Sequence, residues 1–146
     1  MSSRRLTRVP SIQSRLRQVD WTEIARTASD RGWATTRPLL TADECADLIG
    51  LYSEEHRFRS RIDMARFRFG EGEYKYFANP LPPAVLALRR HAYPHLAPIA
   101  NDWSAALGAK PAFPPDLDEF LAGCAEHGQT RPTPLLLRYE AGGYNC

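Results

Sequence analysis

Lysine is nearly absent from this 146-residue chain: of 19 basic residues only Lys75 and Lys110 are not arginine. Cysteine is also scarce. Cys45, Cys124 and Cys146 are odd in number and far apart, which argues against a disulfide framework and for free thiols in a reducing cytoplasm. No apolar run exceeds a few residues, so the sequence gives no membrane span. The excess charge is only +2, too small to demand a nucleic-acid partner. There is no internal repeat and no low-complexity tract. What is present is an ordinary globular composition, 43% hydrophobic and 25% charged, of a length that suits one domain and buries a core without metal or disulfide.

Residues 1–19 form a basic arm with Arg4, Arg5, Arg8, Arg15 and Arg17 and no acid. Leu6, Val9, Ile12, Leu16 and Val19 recur at helical spacing, and Pro10 places the start of a helix near Ser11. Arg4-Arg5 lacks the apolar stretch of an export signal. The arm reads either as a basic segment touching an anionic partner or as an apolar stripe packed on the body with solvated arginines.

The remainder, 20–146, reads as an α+β domain. Asp20 caps a helix that Gly32 ends, and Trp33–Leu39 has strand composition. Thr41-Ala42-Asp43-Glu44 is a capping box for a helix with Cys45, Leu48, Ile49 and Tyr52 on one face. Ala65, Phe67 and Phe69 alternate with Arg66 and Arg68, which is strand periodicity. The interleaved arginines and aromatics suit either a polynucleotide surface or a strand with a solvated basic face. Gly70-Glu71-Gly72 is a turn that lacks the third glycine of a dinucleotide fingerprint, and Tyr74–Phe77 follows as a second strand. Pro82 and Pro83 open a helix, Pro94 should stop it, and a second helix carries Leu96, Ile99, Ala100, Trp103 and Leu107. Asp116 caps a third helix, and Leu135–Tyr139 reads as a buried strand.

Few residues within the chain carry chemistry of their own. His91 and His95, or Cys124 and His127, have spacings that suit zinc, but neither pair comes with the second pair that a structural site needs. Cys124 with His127 has no third group to orient a nucleophile. Asp116, Asp118 and Glu119 are explained by the helix dipole. No catalytic residue and no metal ligand is assigned on these grounds.

The segment Leu137-Arg138-Tyr139-Glu140-Ala141-Gly142-Gly143-Tyr144-Asn145-Cys146 resembles the strand and turn preceding the first metal ligands of 2-oxoglutarate- and iron(II)-dependent oxygenases, in particular a bacterial prolyl-hydroxylase-like subgroup. Leu40–Cys45, Gly70–Phe77, Asn79–Pro82, Ala100–Trp103 and Gly128–Pro134 are similar to its upstream landmarks, in order. The resemblance implies a helical N-terminal support leading into the first strand of a double-stranded β-helix, or jelly roll. It implies Fe(II) and 2-oxoglutarate as cofactors of the complete domain, with Tyr139 and Tyr144 lining the 2-oxoglutarate pocket. The His-x-Asp, distal His and Arg of that family are not in the sequence. The expectation is therefore a truncated dioxygenase, inactive alone and binding neither cofactor by itself. Its substrate, small-molecule or peptidyl, is left open, and neither a nucleic-acid nor a membrane partner is expected. The competing reading is a basic nucleic-acid-binding or protein-interaction module without catalysis.

Overall fold

The computed structural model describes residues 9–110 and 112–146. Leu6, Arg4, Arg5 and Arg8 of the basic arm lie outside the described residues. Among the described residues, five α-helices and two small antiparallel sheets make a mixed α/β structure, and the strands close no barrel. The chain divides into two compact units: one holds the described residues to Leu40 with Ala87–Phe120, the other Thr41–Leu86 with Leu121–Cys146.

In the first unit, α1 (Ile12–Arg17) starts at Ser11, whose hydroxyl accepts from the Ser14 amide. Its apolar positions Ile12 and Leu16 are buried, the latter to 1% exposure. Val9, from the same stripe, is exposed. Asp20 caps α2 (Trp21–Arg31) by accepting from the Glu23 amide at 3.0 Å, and Gly32 ends it in the left-handed conformation. The Trp21 indole donates to the Leu16 carbonyl and its ring stacks on His95, 4.5 Å between centroids.

Trp33–Leu39 is not a strand. Its composition favours extended backbone, but no neighbouring strand pairs with it, and Trp33 is 59% exposed. Pro94 does not break its helix either: α4 runs unbroken from Pro83 to Ala106 with Pro94 and Pro98 inside it. Each proline removes one backbone donor, and two at four-residue spacing concentrate the defect on one stretch. Packing offsets it there. Ala97 and Ile99 are buried, the Tyr93 hydroxyl donates to the Pro114 carbonyl at 2.8 Å, and Phe120 packs on both Tyr93 and Phe113. The expected face is only partly covered, since Leu96, Trp103 and Leu107 are exposed. Asn101 ties the helix to the segment after it, donating to the Phe113 carbonyl and accepting from the amides of Ala112 and Phe113. Asp116 caps α5 (Leu117–Glu126) as its position predicts.

The second unit holds both sheets. Thr41 and Glu44 make the reciprocal capping box of α3 (Ala42–Leu51). The larger sheet has the order β1 (Phe58–Asp63), β3 (Glu73–Phe77), β4 (Leu135–Arg138), all antiparallel. The smaller pairs β2 (Gly70–Glu71) with β5 (Tyr144–Asn145). Residues 65–69, read as a strand from their alternation, form instead a 3-10 turn over Ala65–Phe67 followed by a bend. The strand ends earlier because the Asp63 carboxylate accepts from the Ala65 amide and Met64, 1% exposed, is driven inward. The Met64 carbonyl then accepts from both Phe67 and Phe69, closing the turn. β4 is shorter than expected and half-buried rather than buried, with Leu137 and Arg138 exposed at the edge of the sheet. Phe77 is fully buried and stacks on Phe58, its direct partner across β1 and β3.

Candidate functional site

Strand alternation puts Glu73, Lys75 and Phe77 on one face of β3. Cross-strand register adds Arg61 opposite Lys75, and on β4 Leu136 opposite Lys75 and Arg138 opposite Glu73. Tyr52, at the end of α3, lies on the same face: its hydroxyl donates to Glu73 Oε1 at 2.9 Å. The result is a cleft of ≈ 720 Å³ between Leu48, Ile49 and Tyr52 on one side and Lys75, Leu136 and Tyr139 on the other.

Glu73 is the hub. Its side chain is 16% exposed and pairs with Arg61 and, at 3.5 Å, with Arg138 Nη1. Burial opposes its charge, yet the hydrogen bonds from Tyr52 and Arg61 and the two guanidinium charges outweigh burial and hold its carboxyl below the ordinary value near 4.5. The same arrangement pushes the Tyr52 phenol up to about 12, first through burial and then because ionising it would break the bond to Glu73 and set two anions together.

Lys75 is the buried cation beside this hub, 4% exposed in its side chain. Its ammonium donates to the Tyr52 carbonyl at 2.9 Å and to Glu55 Oε1 at 2.6 Å. It also lies 4.4 Å from the centroid of the Tyr52 ring and 5.3 Å from that of Phe58. Glu55 is 75% exposed, so the counter-charge of Lys75 sits at the solvent edge. Three cations (Arg61, Lys75, Arg138) thus face two carboxylates (Glu55, Glu73) in one cleft. That excess of positive charge suits an anionic small ligand.

Of the two tyrosines singled out by resemblance, Tyr139 lines this cleft and packs against Gly72, where a Cβ would meet its ring at 2.8 Å. Tyr144 stands elsewhere, on β5 opposite Glu71, and is 56% exposed. The two pairs whose spacing suits zinc are not gathered into a centre. His95 stacks on Trp21, and the His127 ring nitrogen, just past α5, bonds the Gly123 carbonyl one turn back. Among the described residues, no three His, Cys, Asp or Glu side chains are grouped to hold a metal ion. The described residues therefore do not by themselves form a site for the iron that the resemblance implies. Nor is any described helix long and apolar enough to cross a membrane.

Sequence reasoning missed Tyr52, Glu73 and Lys75 as a set. The available signal was period-two placement of Glu73 and Lys75 with the apolar Phe77, which put two charges on a face bound for burial.

No solved structure matches the chain. Two curated relatives are the Mycobacterium tuberculosis proteins named "Uncharacterized protein MT2286" (strain CDC 1551 / Oshkosh) and "Uncharacterized protein Rv2227" (strain ATCC 25618 / H37Rv). Each is 42% identical over 70 residues, which is 48% of this chain and 30% of the relative. The chain therefore spans about a third of the length of the relatives it matches. One family profile covers residues 72–146, the segment that contributes β3, β4, β5 and the Glu73, Lys75, Arg138 and Tyr139 side chains of the cleft. By that match, the chain belongs to the Oxygenase-NA family, described as an oxygenase catalysing oxidative methylation of damaged DNA.

Proposed function

We propose that these 146 residues are the supporting part of a 2-oxoglutarate- and Fe(II)-dependent oxygenase that acts on damaged DNA. In this reading the sheet β1-β3-β4 is the start of a double-stranded β-helix, and Tyr139 and Tyr144 line the co-substrate pocket of the complete domain. The observation that carries the reading is the oxygenase-family match over 72–146. It coincides with the strands that build the charged cleft. In this reading the metal ligands lie outside these residues, as the resemblance implies. The chain alone is then an inactive platform.

The nucleotide sequence past codon 146 tests this. A continuation, in some frame, with His-x-Asp and later a His and an Arg supports the facial arrangement of two histidines and a carboxylate. A continuation without such residues in any frame overturns it.

A further inference from the structure

The turn between β1 and β2 is built to display aromatic rings. Phe67 is 53% exposed and Phe69 47% exposed, and the two stack on each other with centroids 5.7 Å apart and planes 21° apart. Large apolar side chains exposed as a stacked pair are unusual on a surface that has a buried residue, Met64, available to anchor the same turn. The backbone holds them in place. The Met64 carbonyl accepts from the Phe67 and Phe69 amides, and the Phe69 carbonyl accepts from Cys146. Gly70 follows in a buried position with φ 126°, where a Cβ would fall on the Tyr144 carbonyl.

Two exposed arginines interleave with the rings. Arg66 and Arg68 make no ion pair among the described residues, unlike Arg57 and Arg61, which are paired with Glu54 and Glu73. Arg68 sits at φ 58°, a conformation costly for a residue with a Cβ. The nearest acids in sequence are Asp63, whose carboxylate is engaged by the Ala65 amide, and Glu71 on β2.

We propose that this turn, Ala65 to Phe69, is a contact for single-stranded DNA: bases stack on Phe67 and Phe69 while Arg66 and Arg68 meet the phosphates. Base–aromatic stacking needs an unpaired base with a free face, so an intact duplex does not satisfy the two rings. The guanidiniums supply sequence-independent attraction to the backbone. The inference rests on the reading of damaged DNA as substrate and adds where the strand around the lesion is held.

Fluorescence anisotropy of the 146-residue chain with a labelled strand of about twelve thymidines, at low salt, tests it. Phe67→Ala and Phe69→Ala are each expected to weaken binding about tenfold, while Phe69→Trp retains it. Arg66→Gln and Arg68→Gln are each expected to lower the slope of log affinity against log salt by about 0.7. Circular dichroism reports whether each variant folds. Neutralising Arg4, Arg5 and Arg8 must leave the dependence on Phe67 and Phe69 intact. Binding unchanged in both alanine variants, binding that vanishes with the N-terminal arginines alone, or no binding at low salt overturns the proposal. These results are separable from failure of the oxygenase reading, which the coding sequence past codon 146 decides independently of DNA binding.

Discussion

Tyr52 and Glu73 join α3 to the sheet through one charge-assisted hydrogen bond, and a double-mutant cycle isolates its contribution. A hydrogen bond to a charged acceptor contributes roughly 1.5–3 kcal/mol. Glu73 keeps its two guanidinium partners when the hydroxyl is removed, so Tyr52→Phe belongs at the low end, a loss of about 1.5 kcal/mol. Arg61 and Arg138 are 60% and 54% exposed, and pairs at such exposure contribute about 0–1 kcal/mol. Glu73→Gln therefore costs about 1–2 kcal/mol, mostly through the weaker bond to Tyr52. Urea denaturation of the wild type, both single variants and the double variant is expected to give a coupling energy of about 1 kcal/mol. The pH dependence carries the same information with opposite signs at its two ends. Glu73 is held below 4.5 in the folded chain, so its contribution is complete above that pH and is lost as pH falls through the lower folded value. Tyr52 is raised from 10.0 to about 12, so its contribution is complete below pH 10 and is lost between 10 and 12. Absorbance titration should show a phenol ionising near 12 in the wild type that is lost in Tyr52→Phe. A coupling energy under about 0.3 kcal/mol refutes the reasoning. So does a wild type in which no phenol titrates near 12.

Three further outcomes follow from local geometry. Gly70→Ala forces a Cβ onto the Tyr144 carbonyl at a positive φ, and hydrogen exchange should show the β2–β5 pair opening while β1–β3 stays protected. Asn101→Ala removes one donated and two accepted hydrogen bonds to Ala112 and Phe113 and is expected to cost about 2 kcal/mol, read by thermal unfolding. Thr41→Ala removes one arm of the capping box and is expected to cost about 1 kcal/mol by the same measurement.

What was legible in the sequence was what local chemistry decides. Thr41 with Glu44, Asp20 with Gly32, and Asp116 each act within a turn of their own position, and the structure has all of them. Residues 65–69 misled because alternation of arginine and phenylalanine has the period of a strand, while the burial of Met64 and the Asp63 turn decide the path. Trp33–Leu39 had strand composition and no strand beside it. Pro94 should have ended α4, and the contacts of Tyr93, Ala97 and Ile99 overrode a propensity worth about 3 kcal/mol. The cleft was the least visible feature. Lys75 finds its partners 20 and 23 residues away, at Glu55 and Tyr52, and no window along the chain displays such a meeting. The oxygenase resemblance was legible from ordered landmarks, and the family match bears it out at the level of an oxygenase.

In the proposed function these residues frame an oxygenase whose iron ligands lie outside them. Calorimetric titration of the 146-residue chain with Mn(II), a redox-inert substitute for iron, and then with 2-oxoglutarate tests it most directly. No saturable binding of the metal is expected, and none of 2-oxoglutarate in its presence. Micromolar affinity for both would contradict it.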